Sequence, residues 1–167
     1  MTDSYLPRAE YEFSEHPIGS EQVDPDPIVQ FRIWFEKEAR SGERDGNRMA
    51  LATADDAGRP SVRMVLLKQF GTDGFLFFTD YGSRKAIELE QNRHAALLFH
   101  WPRLQRQVRI EGAVDRVSRE ISEHYFSLRP RTSQAGASVS RQSEPLLDRD
   151  RFESEVRNLG GGNEPIP

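Results

Sequence analysis

Met49–Phe70, MALATADDAGRPSVRMVLLKQF, is the stretch that decides the fold. Two apolar runs flank DDAGRP, whose Asp, Gly and Pro residues favour a tight reversal. The stretch therefore predicts a β-hairpin whose second strand is SVRMVLLKQF. GTDG then turns the chain into GFLFFTD, and HAALLFHW forms another strand after a short helix. Gln105–Val117 supplies one more, with Gln107, Arg109 and Glu111 alternating against Val108, Ile110 and Gly112. Consecutive strands joined by tight turns predict an antiparallel sheet, and this many predict a barrel or a strongly curved sheet.

Helices flank these strands, so the predicted class is α+β, mainly β. Asp26-Pro27 is a good helix start, with Asp as N-cap and Pro in the first helical position. Ile28, Phe31, Trp34, Phe35 and Glu38 follow at helical spacing, and Ser41-Gly42 ends the helix. Ser118–Leu128 reads as a helix stopped by Arg129-Pro130, because the residue before proline resists helical angles. Leu147–Leu159 is a further amphipathic helix. Residues 1–26, with seven acids, one base and three prolines, read as a flexible arm. GGGNEPIP at 160–167 reads as a linker-like tail, leaving 27–159 as the folded domain.

The length of 167 residues suits one domain, and 36% hydrophobic with 30% charged residues lies above the disordered range. A net charge of -4 disfavours general nucleic-acid binding. The lack of Cys removes disulfide scaffolds, thiolate metal sites and cysteine nucleophiles. MTDSYLPRAEYEF has no signal-peptide pattern, and no apolar run reaches membrane-spanning length. A soluble cytoplasmic protein is expected. His16, His94, His100 and His124 show no metal-ligand spacing, so no metal is expected, and the dinucleotide, P-loop and GxSxG motifs do not occur.

Three segments carry candidate chemistry. In FFTDYGSRKAIELE, Gly82 allows a turn and Ser83 can cap a helix whose first turn holds Arg84 and Lys85. Cations are unfavourable at that end of the macrodipole, so the pair suits a bound anion, although a solvated charged turn explains it equally well. In SVRMVLLK, Arg63 and Lys68 bracket an apolar strand and fall on opposite faces unless a bulge re-aims one. In HYFSLRPRTSQAGASVSRQSE, Tyr125 and Arg129 share a helical face. Arg129 and Arg131 flank a stiff proline, and Ser133, Ser138, Ser140 and Ser143 add hydroxyls. Such a loop can hold a phosphate or carboxylate, or be only a polar loop.

RMVLLK, FFTDYGSRKA, LQRQVRIEGAV, YFSLRPRTSQ and SVSRQSE, in this order, resemble the pyridoxine/pyridoxamine 5'-phosphate oxidase family. Weaker similarity reaches back through DPIVQFRIWFEKE to RAEY at Arg8–Tyr11. The resemblance implies an FMN-binding split β-barrel over 27–159, working as a homodimer with the flavin at the subunit interface. It places FMN contacts on Arg63, Met64, Val65, Leu66, Leu67, Lys68, Phe78, Thr79, Arg84, Lys85, Gln107, Gln142 and Ser143. It places substrate contacts on Lys68, Tyr125, Arg129 and Ser133, with Arg8 and Tyr11 in the arm. The implied reaction oxidises pyridoxamine or pyridoxine 5'-phosphate to pyridoxal 5'-phosphate. FMN takes a hydride equivalent, and O2 reoxidises it to give H2O2. No side-chain acid or base is assigned.

Relatives of this kind continue beyond the position of Pro167 through WGG-, IEFWQG- and RLHDR-type motifs, so this chain is expected to keep the phosphate-binding elements with impaired catalysis. Two rival readings stand beside it. One is a phenazine-biosynthesis oxidase of the same superfamily, against which Lys68 and the RPR triplet speak because its substrate lacks a phosphate. The other is a non-catalytic barrel binding flavin, haem or the vitamer.

Overall fold

The computed structural model describes Gly19 and residues 23–40, 46–162 and 164–166. The chain divides into two compact units, Met1–Gly46 with Trp101–Arg106, and Asn47–His100 with Gln107–Pro167.

In the first unit, α1 spans Pro27–Arg40. Asp26 caps it as the sequence predicts: its Oδ1 accepts the Ile28 N–H at 2.8 Å and the Val29 N–H at 3.3 Å. The predicted stop at Ser41-Gly42 lies outside the described residues. Phe31 is buried, stacks on Phe35 at 5.7 Å and meets Trp101 at 5.6 Å. The indole N–H of Trp101 donates to the Gly46 carbonyl at 3.0 Å, which lets its polar edge be buried with its ring.

The second unit is built on a sheet of order β2-β1-β5-β6, with β1 at Arg48–Ala54, β2 at Pro60–Leu66, β5 at His94–Trp101 and β6 at Arg106–Ala113. The predicted hairpin is β1–β2, antiparallel from Arg48↔Leu66 to Ala54↔Pro60. Its turn is fastened by Asp55, which accepts the Ala57 and Arg59 N–H groups, and by Gly58, whose φ of +75° suits glycine. β5 lies on the other side of β1, antiparallel, with Leu51 opposite Leu97. Met49, Leu51, Leu97 and Phe99 are buried in this sheet.

SVRMVLLKQF is not one strand. β2 ends at Leu66, and β3 (Gln69–Gly71) pairs with β4 (Gly74–Leu76) as a separate ribbon. The break has a local cause: Asn47 takes the Leu67 N–H and carbonyl, while the Lys68 N–H donates to the Leu76 carbonyl. Lys68 thus belongs to the ribbon and Arg63 to the sheet.

The helices of this unit are α2 (Arg84–Gln91), α3 (Arg119–Ser127), α4 (Arg131–Val139) and α5 (Arg149–Gly161). Ser118 caps α3 and Asp148 caps α5. The polar loop expected after Pro130 is instead the helix α4, with Ala135 fully buried. Gly160 of α5 packs there, and a Cβ on it would lie 3.7 Å from that of Ala135. Arg131 fastens the pair by donating to the carbonyls of Leu159 and Gly160, in the last turn of α5, and to that of Glu164 beyond the helix. α5 runs past Leu159 into the glycines, and Ile166 beyond them is buried. With five helices among the described residues, the architecture is mixed α+β rather than mainly β. Among the described residues no helix is long and apolar enough to cross a membrane.

Candidate functional site

The site grows from the turn between β4 and α2. Ser83 stands at the N-cap of α2 but does not cap it. Its hydroxyl donates to the Asp80 carbonyl at 2.6 Å and accepts from Lys85 Nζ at 3.0 Å. The cap comes from far along the chain, because the Arg84 N–H donates to Ser143 Oγ at 3.1 Å. Ser143 has φ +76°, a costly value for a non-glycine residue.

Lys85 is buried, which excludes the solvated-turn reading for it. Its ammonium donates to Thr79 Oγ1 at 2.8 Å, Ser83 Oγ at 3.0 Å and Gln142 Oε1 at 2.6 Å. All three are neutral oxygens. Burial, and then the Arg63 charge, push this ammonium below the usual lysine range, with Asp80 opposing them.

On the same helix Glu88, one turn after Arg84, is buried as well. One carboxylate oxygen, Oε1, accepts from Arg84 Nε at 2.7 Å. The other, Oε2, accepts from Arg63 Nη2 at 3.1 Å and from the hydroxyls of Thr53 and Ser61 at 2.5 Å each. Those hydroxyls in turn accept from Arg63, Thr53 at 2.6 Å and Ser61 by a shorter contact. Burial by itself raises the Glu88 carboxyl, but the Ser61, Thr53, Arg84 and Arg63 donors outweigh it and hold the group at about 2. Residue spacing reveals only the Arg84–Glu88 part of this network. Thr53 and Ser61 meet because the hairpin register pairs them.

The remaining candidate residues distribute unevenly. Phe78 stacks flat on Tyr125 at 3.8 Å, and Lys68 Nζ sits 5.5 Å from the Tyr125 ring centre. Arg129 and Ser133 line the same cavity as these residues and as Arg63, Arg84, Lys85, Gln142 and Ser143. Among the described residues neither Lys68 nor Arg129 has a carboxylate partner. Val65 is half-buried on the Arg63 face of β2, whereas Met64 and Leu66 turn their side chains to the exposed face. Leu67 is buried where the strand breaks. Gln107 is exposed on β6 and does not line the cavity. Arg8 and Tyr11 lie outside the described residues.

Chemically, two guanidiniums, Arg63 and Arg84, share the one carboxylate of Glu88, while the Lys85 ammonium faces neutral oxygens and feels Asp80 as an opposing charge. Lys85 is satisfied only by neutral oxygens, and the cluster sits at a helix N-terminus. The arrangement suits an anion with several acceptor oxygens, such as a phosphate ester. Lys68 and Arg129 offer positive charge elsewhere in the same cavity.

The sequence profile of the family described as pyridoxamine 5'-phosphate oxidase matches residues 35–160. A pyridoxine/pyridoxamine 5'-phosphate oxidase of Rubrobacter xylanophilus is 50% identical over 148 residues, covering 89% of this chain and 68% of that one. The chloroplastic pyridoxine/pyridoxamine 5'-phosphate oxidase 1 of Arabidopsis thaliana is 49% identical over 147 residues, covering 86% of this chain and 28% of that much longer one. Among solved structures, PhzG from Burkholderia lata in complex with tetrahydrophenazine-1-carboxylic acid superposes with a TM-score of 0.83 at 28% identity. The match covers 90% of this chain and 77% of that one. The chain belongs to the pyridoxamine 5'-phosphate oxidase family.

Proposed function

We propose that this chain is an FMN-dependent oxidase that converts pyridoxamine or pyridoxine 5'-phosphate to pyridoxal 5'-phosphate, with O2 as acceptor and H2O2 as product. The observation that carries the reading is the presence of two groups of cations along one cavity, Arg63, Arg84 and Lys85 in one and Lys68 and Arg129 in the other. A phosphorylated flavin and a phosphorylated vitamer need one such group each. The residues fit FMN: the excess positive charge around Glu88 and the buried ammonium of Lys85 suit its phosphate, with Thr79, Gln142 and Ser143 as further polar contacts. Bound there, FMN would supply the two-electron redox chemistry.

The chain's own task is then to place the vitamer. Tyr125, held flat against Phe78, offers a rigid aromatic wall, and Lys68, Arg129 and Ser133 grip the ester. The active form is a homodimer. On β2, Val62, Met64 and Leu66 are 69%, 62% and 42% exposed in one apolar row, as a strand awaiting a second copy would present them. In that dimer Gln107 completes the partner's site, a role supported by its exposure and its position outside its own cavity.

The likeness to PhzG favours a second reading, a phenazine-type flavin oxidase. Arg131 no longer argues against it, because its guanidinium is spent on the end of α5. Lys68 and Arg129 still do. Turnover of pyridoxamine 5'-phosphate and of tetrahydrophenazine-1-carboxylic acid, measured side by side, separates the two. The visible spectrum of the purified chain tests both against a haem-binding barrel. A two-band flavin spectrum that bleaches with pyridoxamine 5'-phosphate under nitrogen is expected, and a Soret band or no chromophore overturns the proposal.

A further inference from the structure

We infer that Glu88 is a positioning residue for the flavin phosphate, holding the Arg63 and Arg84 guanidiniums side by side so that they act as one anion clamp. The inference rests on the FMN reading above and extends it to a residue that does not itself touch the ligand. Glu88 is 4% exposed and reaches two strands as well as its own helix, so it is not an ordinary surface i,i+4 partner of Arg84. Each of its oxygens takes a different guanidinium, Oε1 from Arg84 and Oε2 from Arg63. Arg84 is held through Nε, which leaves both terminal NH2 groups, on a side chain 63% exposed, to meet a ligand. Arg63 is more tightly committed. Its Nη1 donates to the Leu51 carbonyl and Thr53, and its Nη2 to Ser61 and Glu88.

Two guanidiniums repel one another, and Glu88 is the acceptor they share: without it Arg63 keeps the Leu51 carbonyl, Thr53 and Ser61, but Arg84 loses the hydrogen bond that turns it toward Arg63. A glutamine at 88 offers one oxygen and one NH2, so one of the two arginines meets a donor where it had an acceptor. Two effects of that substitution have opposite signs. If Glu88 acted only as a nearby negative charge, removing it would tighten binding of an anionic ligand. If it positions the clamp, removing it loosens binding of the phosphate and leaves the isoalloxazine contacts alone.

The test is titration of the full chain, freed of flavin, with FMN and with riboflavin, which differ only in the phosphate. The wild type is expected to prefer FMN. Glu88→Gln should weaken FMN binding about tenfold or more with riboflavin affinity unchanged, since charge-assisted contacts are lost at the phosphate only. Ser61→Ala, which removes one donor to Glu88 and one acceptor of Arg63, should move the ratio the same way by less, and it serves if Glu88→Gln does not fold. A preserved or increased FMN-to-riboflavin ratio in the variants overturns the positioning role. Equal loss of both flavins does so too, since that is the mark of a merely structural residue. A wild type without preference for FMN instead overturns the phosphate-site reading, and this inference with it.

Discussion

Glu88→Gln should also flatten the acid limb of this protein's stability curve, by an amount the structure sets. The carboxyl has an ordinary value of 4.5 and is held at about 2 in the folded chain. A depression of that size corresponds to about 3 kcal/mol in favour of folding with the group ionised. Arg84, one of its two cationic partners, is 63% exposed, and water screens that half of the network. A contribution of about 2 kcal/mol is therefore the better expectation. The sign follows from the direction: a folded value below the unfolded one stabilises above pH 4.5, and that stability is lost as the pH falls toward about 2. More than half of it should be gone by pH 3. Urea unfolding followed by tryptophan fluorescence at pH 6, 5, 4 and 3, on the wild type and Glu88→Gln, measures it. The difference between the two proteins should be about 2 kcal/mol at pH 6 and shrink steadily below pH 4.5. Glu153 and Asp55, whose carboxyls are also held low by arginines and, at Asp55, by backbone donors, are common to both and cancel. A gap of constant size from pH 6 to pH 3 would refute the argument, because it would mean that the substitution disturbs packing rather than a charge network.

Arg84→Ala combined with Lys85→Ala should lower FMN retention through gel filtration, each lost charge-assisted contact costing about 1.5–3 kcal/mol. Unchanged retention removes the phosphate from this turn. Arg129→Ala should raise the KM for pyridoxamine 5'-phosphate severalfold while bound flavin, read by absorbance, stays constant. Arg131→Ala should cost about 2 kcal/mol in chemical denaturation through the Leu159, Gly160 and Glu164 carbonyls it no longer reaches, and Arg131→Lys should recover only part of this. The proposed homodimer predicts that the wild type sediments as a dimer and that Met64→Glu shifts it toward a monomer; a monomeric wild type overturns the dimer, and a variant that sediments like a dimeric wild type places the interface elsewhere.

Much of this architecture is legible in the sequence because its local signals are self-contained. Asp26-Pro27 starts α1, DDAGRP reverses the hairpin and Ser118 caps α3, each through atoms within a few residues. What is not legible depends on distant partners. RTSQAGASV has the composition of a loop, and it is helical because Ala135 packs against Gly160 and Arg131 has the end of α5 to hold. The break between Leu66 and Gln69 needs Asn47 and Leu76 to take up the backbone. Ser83 looks like a cap and is not one, since Lys85 claims its hydroxyl and Ser143 arrives from 59 residues away. Within the site the cations announce themselves by their position, whereas Thr53 and Ser61 become partners of Glu88 only through the strand register.

That register also bears on how such a site binds an anion. Arg63 and Lys85 have their terminal hydrogens spent on carbonyl, hydroxyl, amide and carboxylate oxygens before any ligand arrives. A phosphate that reaches Lys85 therefore exchanges a neutral oxygen, that of Gln142 or of a threonine or serine, for a charged one, rather than filling an empty valence. The gain per contact is the difference between a charge-assisted bond to an anion and one to a neutral acceptor, which is smaller than the whole bond. In return the cations are already ordered, and little side-chain entropy is lost on binding. Arg84, half-committed and largely exposed, is the exception, because its free NH2 groups add contacts outright. Selectivity for a phosphorylated ligand should accordingly depend more on Arg84 than on Lys85. The single variants Arg84→Ala and Lys85→Ala, compared by their FMN-to-riboflavin affinity ratios, should rank in that order. The reverse ranking would mean that Lys85 changes partners far more freely than its three hydrogen bonds imply.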